Sequence, residues 1–78
     1  MNRNAIRLLN KANKTMKILS KRYKFVNIAI NYSSIDLLLP GTNKIDALWE
    51  EVISNFIKDK INWNLRFETG NLILNIYL

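Results

Sequence analysis

Residues 3–24 carry eight cations, no acid, and apolar residues spaced alternately four and three apart. This segment limits the fold more than any other. Placed about 100° apart on a helical wheel, Ala5, Leu9, Ala12, Met16, Leu19 and Tyr23 form one stripe, and Arg3, Arg7, Lys11, Lys14, Lys17 and Lys21 fall on the opposite side. The sorting predicts a helix with one buried face and one row of cations in water.

The period then changes from helical to two. Val26, Ile28, Ile30 and Tyr32 alternate with Phe25, Asn27, Ala29 and Asn31, and after Ser33-Ser34 the residues Ile35, Leu37 and Leu39 alternate with Asp36 and Leu38. A strand with one buried face requires this spacing, so 24–39 reads as a hairpin. Pro40-Gly41 stops it, and Thr42 or Asn43 is placed to cap a second helix, with Asp46 in its first turn. That helix is expected over 44–60, burying Ile45, Leu48, Trp49, Val52, Ile53 and Phe56. Trp63, Leu65 and Phe67 then alternate with Asn62, Asn64, Arg66 and Glu68. Beyond the turn Thr69-Gly70-Asn71, Leu72, Leu74 and Ile76 alternate with Ile73, Asn75 and Tyr77. Both Trp residues fall on buried stripes and read as packing.

The order is αββαββ in one domain over residues 1–78. Sliding one half on the other by 39 positions aligns Ile6 with Ile45, Leu9 with Leu48, Val26 with Leu65 and Leu37 with Ile76, a pseudo-repeat of 1–39 and 40–78. Neither half can bury its apolar face alone. The expected fold is therefore an α+β two-layer sandwich, two helices on one face of a four-stranded antiparallel sheet. The order of elements is similar to that in the homing-endonuclease core. Signature helices of that family end in acidic metal ligands, whereas this first helix has no acid, and the similarity assigns no family.

Composition excludes several functions. At 78 residues the chain supports one modest core. It lacks cysteine and histidine, and with them disulfides, thiolate chemistry, the commonest general base and the commonest metal ligand. A reducing, cytoplasmic compartment is expected. Only Gly41 and Gly70 are present, both at turns, so no phosphate-binding glycine loop exists. Adjacent Glu50 and Glu51 diverge by about 100° on a helix, which is wrong for a shared acid–base pair. No catalytic residue, metal site or cofactor is expected, and the chain reads as non-enzymatic. No apolar run approaches the ~20 residues of a membrane span. A transit peptide shares the cationic amphipathic pattern, but removing it would leave the strands little to pack on.

Net charge is +6 and unevenly placed. Residues 1–39 carry eight cations against Asp36 alone, and residues 40–78 carry four cations against five acids. A single-sign face selects an anionic partner. The expectation is a small basic protein binding DNA or RNA through Arg3, Arg7, Lys11, Lys14, Lys17 and Lys21, with Phe25, Asn27, Asn64, Arg66, Asn75 and Tyr77 as further contacts on the open sheet face. The alternative is an inhibitor or assembly module on an acidic protein surface, self-associating as a homodimer through the sheet face or edge strands. Attachment to anionic membrane through the first helix conflicts with using its apolar stripe in the core.

Overall fold

A computed structural model describes residues 3–24, 27–40 and 47–78, the side chain of Pro40 excepted. Its elements run α1 (Arg3–Leu19), β1 (Asn27–Ile30), β2 (Ser34–Pro40), α2 (Ala47–Lys58), β3 (Asn62–Glu68) and β4 (Asn71–Tyr77). The four strands form one antiparallel sheet in the order β1-β2-β4-β3, so the α+β fold is as expected. The expected roles of Phe25, Val26, Gly41, Thr42, Asn43, Lys44, Ile45 and Asp46 lie outside the described residues.

Boundaries shift by a few residues for local reasons. The first helix ends at Leu19 and not near residue 24, where Ser20 Oγ donates to the Lys17 carbonyl (2.9 Å) and the Tyr23 N–H closes on the Leu19 carbonyl (2.9 Å). The first hairpin turns at Tyr32-Ser33, since the Asn31 N–H already bonds the Ser34 carbonyl (2.9 Å). At the end of α2, Lys60 takes φ 56° while the Ile61 N–H reaches the Phe56 carbonyl and the Lys60 N–H the Ile57 carbonyl, a Schellman closure. Thr69 and Gly70 both have positive φ, 49° and 80°, the combination of a two-residue type I′ hairpin.

The sheet has an approximate twofold axis. Register pairs Leu37 with Leu74, and the flanking pairs Ile35–Ile76 and Leu39–Leu72 exchange under a shift of 37 positions. The same shift turns the Ile28–Leu37 pair of one hairpin into the Leu65–Leu74 pair of the other. It also superposes the buried positions Ala12, Thr15 and Leu19 of α1 on Trp49, Val52 and Phe56 of α2. The structural offset is thus 37, and the 39 suggested by the sequence is corrected by two.

Helix placement breaks that symmetry. The first helix packs on β2, β4 and α2, and α2 packs on α1 and β3, whereas β1 touches β2 alone among the described elements. Because the helical layer is displaced away from β1, the buried side of α1 is Leu8, Lys11, Ala12, Thr15 and Leu19. The expected stripe is corrected accordingly, with Ala5, Leu9, Met16 and Tyr23 only half-buried. In angle the helix is rolled about 70° toward α2, at 100° per residue. Two residues expected in the core are exposed, Ile30 (67%) on the β1 edge that the helices leave uncovered and Phe67 (61%) on the β3 edge beside the Thr69-Gly70 turn.

The core otherwise holds as expected. Leu37, Leu39, Trp49, Val52, Phe56, Leu72, Leu74 and Ile76 are buried, with Ile28, Leu48, Trp63 and Leu65 packed against them. Thr15, unexpected in that company, satisfies its hydroxyl on the Lys11 carbonyl one turn back (2.8 Å).

Candidate functional site

Two cross-links set the orientation of the helices. Beyond the end of α1, the Tyr23 hydroxyl accepts a hydrogen bond from the Trp49 indole N–H near the start of α2 (2.9 Å), with the rings 6.3 Å apart. At the other end Lys11 Nζ pairs with the Asp59 carboxylate, and Arg7 donates to the Asp59 main-chain carbonyl. The helices are therefore antiparallel, and the end of α2 lies beside the N-terminal half of α1.

This contact removes one cation from the expected row. Lys11 is 8% exposed, so its placement on the outer face is corrected: it packs its stem into the helix interface and is neutralised there. The hydrogen bond from Lys11, together with the positive charges of Lys11, Lys14 and Lys58, holds the Asp59 carboxyl below the usual carboxylate range. Cations beside the last carbonyls of α2 also suit the negative end of its dipole.

The rest of the row is outward. Arg3, Arg7, Lys14, Lys17 and Lys21 are exposed. The side chains of Arg3, Lys14, Lys17 and Lys21 make no ion pair or hydrogen bond to a described residue. Arg3, Arg7, Asn10 and Lys14 rim a shallow depression of about 510 Å³ floored toward Asp59. Sequence reasoning did not single out Asn10 or Asp59. Asn10 is readable from its helical angle, but Asp59 reaches Lys11 across 48 positions of chain and has no local signal.

The open sheet face is occupied differently from expectation. Asp36 Oδ1 accepts from Asn75 Nδ2 (2.6 Å), its Oδ2 accepts from Asn31 Nδ2 (3.3 Å), and Arg66 Nη2 stands 3.8 Å from the same oxygen. Asn64 Nδ2 donates to Asn75 Oδ1 (3.2 Å), and Arg66 Nε to Glu68 Oε2 (3.2 Å). Asn64, Asn75 and Arg66 are thus brought together, but they satisfy one another around a carboxylate. Ile73, expected on the open face, is 7% exposed between its cross-strand neighbours Leu38 and Arg66. Asn27 is exposed on β1, Tyr77 is partly exposed at the far end of β4, and Phe25 lies outside the described residues.

A groove of about 350 Å³ opens where the helices leave β1 uncovered, its apolar side Leu8, Leu9, Ile30 and Ile35 and its polar side Asn4, Asn31, Ser33 and Ser34. Among the described residues no group of three or more acidic side chains is placed to hold a metal ion, and no helix is long and apolar enough to cross a membrane. No family model matches the sequence, and searches of curated proteins and of solved structures return no significant match.

Proposed function

We propose that this protein is a non-enzymatic nucleic-acid-binding protein whose α1 surface engages the phosphate backbone. The observation that carries the reading is the set Arg3, Arg7, Lys14 and Lys17, exposed along one side of an acid-free helix, with Lys21 exposed in the turn that follows it. Helix stability accounts for Lys17 in the last turn, at the negative end of the dipole, but not for the rest. Arg3 stands in the first turn, at the positive end of the helix dipole, where a cation is unfavourable by roughly 0.3–1 kcal/mol. The pseudo-equivalent outward positions confirm that the fold itself does not demand cations, since Lys14 and Lys17 of α1 correspond to Glu51 and Ser54 of α2.

Each phosphate neutralised by this row releases condensed counterions, so binding weakens steeply as salt rises. Titration of labelled oligonucleotides by fluorescence anisotropy at low salt tests the proposal. Absence of any interaction, with the fold intact by circular dichroism, removes it.

A second reading rests on the sheet edges. Both edge strands, β1 and β3, end in an exposed apolar residue, Ile30 and Phe67, which are features of surfaces that pair with another chain. A defined oligomer in light scattering without nucleic-acid binding favours self-association or an acidic protein partner.

A further inference from the structure

We infer that the nucleic acid bound by α1 is a duplex, held by one backbone strand running along the helix axis, without contact to bases. The inference rests on the nucleic-acid reading above and adds the form and direction of the ligand.

Direction follows from the charge on the two helices. The exposed cations from Arg3 to Lys17 span about 21 Å along α1, at 1.5 Å per residue. That is the axial length of about six base pairs, with one charge per 3.4 Å on each strand. Beside this row α2 exposes Glu50 and Glu51, and Asp59 stands at its end. A backbone crossing from the C-terminal half of α1 to α2 passes from cations to Glu50 and Glu51, whereas at the other end of α2 Asp59 is flanked by the exposed Lys58 and Lys60. One running along α1 meets the cations, the amides of Asn10 and Asn13 and the exposed Ile6, with Asp59 at the floor of the depression beside them.

The form follows from what is missing beside the row. Single-strand binding draws on aromatic side chains that stack bases, worth roughly 1–3 kcal/mol each. The exposed arc of α1 has no aromatic residue. On the open sheet face Asp36 sits at the centre, the amides of Asn64 and Asn75 are engaged with each other and with Asp36, and among the described residues Tyr77 is the one ring on this face, at the end near the exposed Tyr32 of the hairpin turn. The sheet therefore offers a carboxylate where a stacking platform needs rings. A straight cation row, interrupted only where Lys11 turns in to Asp59, matches a stiff backbone and carries no base readout.

Anisotropy titrations with a 20-base-pair DNA duplex, an RNA duplex of the same sequence and each single strand test the inference. The expected result is at least tenfold tighter binding to one or both duplexes than to single strands, insensitive to base sequence. The expected slope of log affinity against log salt is about −3.6, for about four neutralised phosphates. Arg3→Ala and Lys17→Ala, at opposite ends of the row, should each make the slope shallower by about one, while Tyr77→Ala leaves affinity within twofold. Tighter binding to single strands, loss of affinity in Tyr77→Ala, or sensitivity at only one end of the row overturns the inference and leaves the nucleic-acid reading standing. No binding to any of the four ligands by a folded protein overturns both.

Discussion

Leu37 and Leu74 face each other across the middle of the sheet, 37 positions apart in the chain and both fully buried. Within the sheet the two have matching neighbours, Ile28 and Leu74 beside Leu37, and Leu65 and Leu37 beside Leu74, although the helices lie unequally over the strands. Leu37→Ala and Leu74→Ala are therefore expected to destabilise by similar amounts, about 3 kcal/mol each, within the range for buried leucine truncation. Urea denaturation of both variants checks this. A difference above about 1.5 kcal/mol contradicts the equivalence.

Lys11 and Asp59 are partners with unequal burial, the lysine side chain 10% and the aspartate 39% exposed. Removing the lysine leaves a carboxylate that water can reach, while removing the carboxylate leaves a buried ammonium with no counterion. Asp59→Asn should thus lower the denaturation midpoint more than Lys11→Met, which keeps the buried stem. The reverse order in chemical denaturation would show that Lys11 is solvated in solution.

Acid dependence follows from the same pair. Because the folded-state pKa of Asp59 is lowered, its contribution is present above its unfolded value near 3.8 and is lost as pH falls through the lower, folded value. Thermal melts between pH 5 and pH 2 should show a steeper loss of stability in the parent protein than in Asp59→Asn. Parallel profiles would contradict the assignment.

Tyr23→Phe removes the acceptor of the Trp49 indole N–H and keeps the ring. The expected cost is about 1 kcal/mol, the typical net worth of one hydrogen bond, read as a lower melting temperature together with a shift of tryptophan emission. An unchanged melting temperature would mean that water replaces the hydroxyl.

Lys14→Glu combined with Lys17→Glu reverses two exposed charges on the proposed binding face. The fold should survive within about 0.5 kcal/mol per site, as exposed substitutions generally do, while oligonucleotide binding is abolished. Binding that persists at parental affinity would place the interface elsewhere.

The basic row was largely legible from residue spacing, because the outward side of a helix needs no partner to define it. Arg3, Lys14, Lys17 and Lys21 stand where their angles put them. Lys11 was not legible, since its angle lies at the margin of the row and Asp59 is brought to it by the antiparallel packing of α2. Asn64, Arg66 and Asn75 were placed on the right face of the sheet, but Asp36 becomes their hub only through the cross-strand register.

By itself the sequence determined the kinds of element, their order and which side of each strand is apolar, since these are set by local periods of about 3.6 and 2. Only the tertiary structure decided the repeat offset. Sliding a period-two pattern by two positions leaves every side chain on the same face, so 37 and 39 are equivalent until the two hairpin registers, Ile28 with Leu37 and Leu65 with Leu74, are seen. It likewise decided the roll of α1. The wheel ranks faces by polarity, but the helix settles over β2 and β4 and against α2, burying Thr15 and a paired Lys11 while Ala5 and Leu9 border the open groove above β1.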